Sequence, residues 1–191
     1  MTQRMMEIRW HGRGGQGAKT AAQLVAQVAL EEGKHSQGFP EYGPERMGAP
    51  VRGFTRISDH EIRVHCPIHR PDAVVVLDET LVALPAVTEG TKAGTIFVIN
   101  TRLTPAQMRQ HLGIDGAKVY CVDATEISLV ELGRPMPNTP MIGGLIRATE
   151  CISMDALKLD IRKKFQSKLG EKVVQGNLRS VERAYEEVRW E

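Results

Sequence analysis

A three-layer α/β/α fold around a mostly parallel, mixed sheet is what this sequence predicts, and three observations predict it. A glycine-dense turn joins an apolar-alternating segment, Met5 to Trp10, to the Ala-, Val- and Leu-rich stretch Thr20 to Leu30, giving strand, turn and helix. Ala73–Asp78, Thr95–Asn100 and Lys118–Val122 are short, near-continuous apolar runs, as strands buried on both faces require. Helical patterns at Thr80–Val87 and Pro105–His111 lie between those runs, so successive strands are joined by right-handed crossovers.

The remaining elements fit around that frame. Lys34–Phe39 reads as the second strand. Val51–Ile57 and Glu61–Val64 flank Ser58-Asp59-His60 and read as an antiparallel hairpin, which makes the sheet mixed. Thr104 caps the Pro105 helix, with proline at its first position. The last third is helical. Thr139-Pro140 opens a helix running to about Glu150, and Ser153 or Asp155 caps another reaching Phe165. Glu171–Trp190 carries Val174, Leu178, Val181, Tyr185 and Val188 at helical spacing, a core-facing stripe. A length of 191 residues suits one α/β domain, residues 1–191, with a proper core.

Composition narrows the function. A net charge of +2 and an aromatic content of 5% argue against nucleic acid as a partner. No apolar run approaches the roughly 18 residues that span a bilayer, and the first residues lack a signal-peptide core, so the expected setting is cytoplasmic, with no membrane partner. Cys66, Cys121 and Cys151 are odd in number and have no C-x-x-C spacing. That speaks against a disulfide framework, a zinc site or an iron–sulfur cluster held by this chain. His65 and His69 straddle Pro67, which spoils a helical ligand pair. No metal ligands and no catalytic residues are assigned; His11, at a strand end, reads as a hydrogen-bonded structural residue.

The turn itself is Gly12-Arg13-Gly14-Gly15-Gln16-Gly17, followed by Ala18-Lys19-Thr20. Gly12, Gly14 and Gly17 satisfy G-x-G-x-x-G, a Rossmann-like start, but the second strand supplies no ribose-binding acid. Gly12 and Gly17 also have phosphate-loop spacing, yet Ala18 displaces Lys19 and Thr20 by one position, about 100° of helix. ATP or GTP hydrolysis is therefore not expected. The turn either presents backbone N–H groups and a helix dipole to an anion or lets the helix pack closely on the sheet.

A second feature is Gly38–Pro50, with three prolines and three glycines. These residues exclude helix and central strand. The stretch carries Glu41, Tyr42, Gly43, Pro44, Glu45 and Arg46. It follows the second strand and so opens over the same sheet edge as the glycine turn, where such sheets bind ligands. It is either a surface for a ligand or partner or a rigid loop braced by its own Glu–Arg pair.

Gly12-x-Gly-Gly-Gln-Gly17 with Thr20-Ala21-Ala22, followed by Pro40-Glu41-Tyr42-Gly43-Pro44-Glu45-Arg46-x-Gly48-Ala49-Pro50-Val51, resembles the gamma subunits of the 2-oxoacid:ferredoxin oxidoreductases, the pyruvate:ferredoxin oxidoreductase (pyruvate synthase) family. Pro71-Asp72, Asp78, Asn100, Asn138-Thr139 and Asn177 match in order, so the resemblance spans essentially the whole chain. Met47 departs from it, where arginine is frequent, as does Gly143-Gly144, where Gly-Ala is usual. The resemblance implies an enzyme complex that converts a 2-oxoacid and coenzyme A to acyl-CoA and carbon dioxide with reduction of ferredoxin. Its members use pyruvate, 2-oxoisovalerate, 2-oxoglutarate or aryl-glyoxylates. It implies alpha, beta and delta partner subunits. Thiamine diphosphate, magnesium and iron–sulfur clusters are held in those partners, and none is held by this chain alone.

On that reading Gly12–Gly17, Lys19 and Glu41–Arg46 face the partners near the active-site entrance and can receive coenzyme A, with Arg13, Lys19 and Arg46 as the charges. The isolated chain is then inactive. The alternatives are a free-standing Rossmann-type protein that binds a nucleotide or coenzyme A by itself, and a purely structural subunit with no ligand contact.

Overall fold

The computed structural model describes residues 5–41, 47–166 and 170–191. β1 (Met5–Arg13) leads into α1 (Ala18–Glu31), β2 (His35–Pro40) and β3 (Pro50–Ser58). β4 (Ala73–Val76), α2 (Pro85–Thr88), β5 (Ile96–Asn100), α3 (Pro105–Leu112), β6 (Lys118–Val122) and α4 (Ala124–Leu132) follow. α5 (Asn138–Thr149), α6 (Met154–Gln166), α7 (Glu171–Glu187) and the two-residue β7 (Arg189–Trp190) complete the order.

One seven-stranded sheet runs β2-β3-β1-β4-β5-β6-β7. Its centre, β1-β4-β5-β6, is parallel, and antiparallel pairs flank it on both sides. The alternation of β-strand side chains sorts the core into two layers. Ile8, Trp10, Val75 and Val98 pack with α1, α5, α6 and α7 on one face. Val74, Val76, Phe97 and Ile99 pack with Met108 and Leu112 of α3 on the other. Both faces of β4 are buried, which is why its sequence is apolar without alternation.

α1 lies unusually close to the sheet. A Cβ on Gly38 would come 2.8 Å from Gln23 Cα, and one on Gly53 3.2 Å from Ala22 Cβ. Thr55 Oγ1 donates to Ala22 O at 2.8 Å and accepts from Trp10 Nε1 at 3.0 Å, which fixes the helix across both strands.

Three local expectations are corrected, and one element is new. Residues 61–64 form no strand, because β1 and β2 take both edges of β3. That segment is pinned instead by buried Arg56, which donates to Val64 O at 3.4 Å and Cys66 O at 2.8 Å. The Thr80–Val87 helix is split into a 3-10 turn, Glu79–Leu81, and the short α2, which starts at Pro85. α4, capped by Asp123, was not anticipated from the sequence. The last helix stops at Glu187; Val188 is extended and Trp190 enters β7 beside Tyr120.

Candidate anion and partner site at the glycine turn

The turn from Gly12 to Gly17 leaves the carboxyl end of β1. Arg13 N–H donates to Gln16 Oε1 at 2.7 Å, and Gln16 N–H to Arg13 O at 3.0 Å. Gln16 Nε2 then donates to Asp78 Oδ2 at 2.7 Å, just past β4. Gly14 N–H reaches Ala49 O at 2.9 Å, and Gly48 N–H reaches Gly14 O at 3.1 Å. These bonds carry the β1–β3 ladder beyond its last pair, Arg13 with Pro50. The glycine turn and the segment before β3 therefore share one sheet edge, as expected.

Arg13 is occupied by this architecture. Its guanidinium donates to Gly48 O at 3.1 Å and Thr80 Oγ1 at 2.7 Å, and Nε lies 3.3 Å from Asp78. Burial pushes the Asp78 carboxyl upward. Hydrogen bonds from Thr80 and Gln16, with the Arg13 charge, outweigh that and hold it below the usual carboxylate range. The network crosses between β1 and β4, where the chain switches from one face of the sheet to the other.

Glu41 pairs with Arg52. Arg52 Nε donates to Glu41 Oε2 at 2.6 Å, and Glu41 N–H donates to Arg52 O at 3.0 Å. That hydrogen-bonded carboxylate raises the Arg52 pKa. Glu41 thus braces the base of the hairpin with β3. Tyr42, Gly43, Pro44, Glu45 and Arg46 lie outside the described residues.

A hollow of about 400 Å³ opens at the N-terminus of α1. Gly17 caps that helix at φ 82°, without a side-chain cap. The first helical bond runs from Ala21 N–H to Gly17 O, so the N–H groups of Ala18, Lys19 and Thr20 have no partner inside the helix. No acidic residue occupies the first turn. The hollow is also lined by Arg52, Arg134, Asn138 and Asn177. Asn138 opens α5, is only 9% exposed, and crowds Gly17: its Nδ2 would lie 2.7 Å from a Cβ there. Its amide makes no hydrogen bond among the described residues. Lys19 and Arg134 are exposed and form no ion pair among the described residues.

The turn is therefore packed closely and also left uncapped. Gly12, Gly15 and Gly17 serve the backbone, Arg13 and Gln16 lock it, and Lys19 stays available. Sequence reasoning missed Arg52 and Arg134. Gly133, in the left-handed conformation that ends α4, was the signal that places Arg134.

Beneath the turn, Arg9 Nε donates to His11 Nε2 at 3.0 Å, and Arg9 also binds Val87 O and Glu89 O. Burial, with the Arg9 and Arg52 charges, pushes His11 down to about 3. Its neutral ring is an acceptor inside the core, a structural role. Burial and Arg52 lower Arg9 to about 10, so it stays charged at neutral pH. Asn100 bridges Leu77 O and Thr125 from the end of β5.

Among the described residues no group of three or more His, Cys, Asp or Glu converges as a metal site. Cys66 is exposed, whereas Cys121 and Cys151 lie in separate core clusters. These residues do not fit an iron–sulfur cluster. Among the described residues no helix is long and apolar enough to cross a membrane.

The family profile for pyruvate ferredoxin/flavodoxin oxidoreductase matches residues 7–187. The pyruvate synthase subunit PorC of Thermotoga maritima is 47% identical over 99% of this chain and 97% of its own length. The pyruvate/ketoisovalerate oxidoreductases common subunit gamma of Thermococcus kodakarensis is 44% identical over 95% and 96%. The crystal structure of pyruvate oxidoreductase subunit PORC from Thermotoga maritima superposes with a TM-score of 0.88, at 44% identity over 98% and 99% of the two chains. The chain belongs to the pyruvate ferredoxin/flavodoxin oxidoreductase family, among its gamma-type subunits.

Proposed function

We propose that this chain, acting as one domain, is the gamma subunit of a cytoplasmic 2-oxoacid:ferredoxin oxidoreductase and that its glycine-turn hollow receives the phosphates of coenzyme A. The complex would convert a 2-oxoacid and coenzyme A to acyl-CoA and carbon dioxide, with ferredoxin as electron acceptor. Alpha, beta and delta subunits would carry thiamine diphosphate, magnesium and the iron–sulfur clusters. Thiamine diphosphate supplies the carbanion chemistry when bound in those partners.

The observation that carries the coenzyme A reading is the hollow at α1. Uncapped helix N–H groups, the Asn138 amide and the cations Lys19 and Arg134 line one space. Such a donor set matches a diphosphate and discriminates against a carbonyl-only ligand. The residues of this chain would bind and orient the cofactor's charged end, and the Arg13–Asp78 network would keep the turn in register. Glu41 to Arg46 would pack on the catalytic subunits beside it.

The test is anaerobic purification of the tagged chain from its own host, with mass spectrometry and 2-oxoacid oxidation assays on the eluate. Three partner chains, cofactor and coenzyme A-dependent activity are expected. A chain that elutes alone and still binds coenzyme A or a nucleotide would establish the free-standing Rossmann-type protein instead.

A further inference from the structure

The chain has two tryptophans and three tyrosines. Trp10 is in the core, yet Trp190, Tyr120 and Tyr185 gather on one surface around Arg147. The Arg147 guanidinium carbon sits 5.3 Å from the Tyr185 ring centre and 5.0 Å from that of Trp190. Trp190 in turn stacks on Tyr120 at 6.1 Å with the planes 23° apart. The result is a row, Tyr185–Arg147–Trp190–Tyr120, drawn from α7, α5, β7 and β6. Trp190 remains 54% exposed in it.

The Arg147 side chain makes no hydrogen bond or ion pair among the described residues. Nor does the side chain of Lys118, which precedes Tyr120 by two residues on the same face of β6. A hollow of about 430 Å³ lies beside the row, lined by Lys118, Thr149, Met5, Met6 and the Lys92–Asp72 pair, whose charges meet at 3.5 Å. Two cations without a side-chain partner among the described residues thus border a largely polar hollow and an aromatic ridge. Arginine held on aromatic faces, with Trp and Tyr around it, is the composition of interface hot spots.

We infer that this ridge is a docking surface for an acidic, extended segment of another chain of the complex, with carboxylates on Arg147 and Lys118. It rests on the subunit reading but concerns a different face. Met5 and Lys118 begin their strands, whereas Arg13 ends β1, so the hollow beside the ridge opens at the opposite end of the parallel strands from the glycine turn.

Zero-length carbodiimide cross-linking of the assembled complex tests this, because it joins a lysine only to a touching carboxylate. Lys118 is expected to link to an Asp or Glu of another type of chain. Arg147→Glu should abolish that link and lower the share of this chain in the complex. Trp190→Ala keeps both charges and should weaken retention at raised salt. Arg147→Lys, with circular dichroism of each variant, separates lost contact from lost fold. The inference is overturned if Lys118 links to nothing, only within its own chain, or to a second copy. It is also overturned if folded Arg147→Glu is retained at unchanged stoichiometry. A wild-type chain that enters the complex with Lys118 unlinked defeats the inference alone; one that purifies without partners defeats the subunit reading as well.

Discussion

Gly17 shows how one residue serves two ends. Its φ of 82° is a conformation side chains rarely adopt, and a Cβ would strike the Asn138 amide. Gly17→Ala should cost about 1–3 kcal/mol in chemical denaturation and distort the α1 hollow. His11 behaves differently. Its folded pKa of about 3 lies below the ordinary 6.5, so between those values the unfolded chain holds a proton that the native chain refuses. Its contribution is therefore complete above about pH 6.5 and is lost at about 1.4 kcal/mol per pH unit as pH falls below it. His11→Gln, which accepts from Arg9 without titrating, should flatten the profile of denaturation midpoint between about pH 7 and pH 5. An unchanged slope would show that His11 is not the titrating group. The glycines and Gln16 were legible as a tight strand-to-helix turn because their spacing carries backbone geometry. The commitment of Arg13 to Asp78 was not, because the two are far apart in sequence and meet only across the β1–β4 crevice.

At the scale of elements, local rules worked where the chain decides locally. Thr104 and Gln107 form the reciprocal cap expected of a Thr-Pro start, and Thr104→Ala should cost about 1 kcal/mol in thermal unfolding. They failed where a tertiary partner decides. Residues 61–64 have strand composition, but β3 has no free edge for them. Trp190 falls outside the helix expected to reach it because β6 offers its open edge. Close packing of α5 on α7 rests on Gly143, where a Cβ would come 2.2 Å from Val181 O. Gly143→Ala should destabilise by about 3 kcal/mol or more. Gly144→Ala meets side-chain methyls rather than backbone, Val98 Cγ1 at 3.3 Å and Val122 Cγ1 at 3.4 Å, which side-chain movement can relieve, and should change stability by less than about 1 kcal/mol. Comparable losses at both positions would contradict this packing.

Across the whole molecule, a parallel centre flanked by antiparallel edges places two segments of very different sequence, Gly12–Gly17 and Gly48–Pro50, on one rim. α5 and α7 bring Asn138 and Asn177 to the same rim from the last third of the chain. The sequence match flagged those asparagines without a reason for them; the reason is convergence on the N-terminus of α1. The cations left open there are Lys19 and Arg134, while Arg13 holds the turn. The most direct measurement is steady-state kinetics of the intact complex carrying Lys19→Ala with Arg134→Ala. The account predicts a KM for coenzyme A raised roughly tenfold or more, the loss of at least about 1.4 kcal/mol of charge-assisted binding, with the KM for the 2-oxoacid unchanged. An unaltered KM for coenzyme A in a fully assembled variant would contradict it.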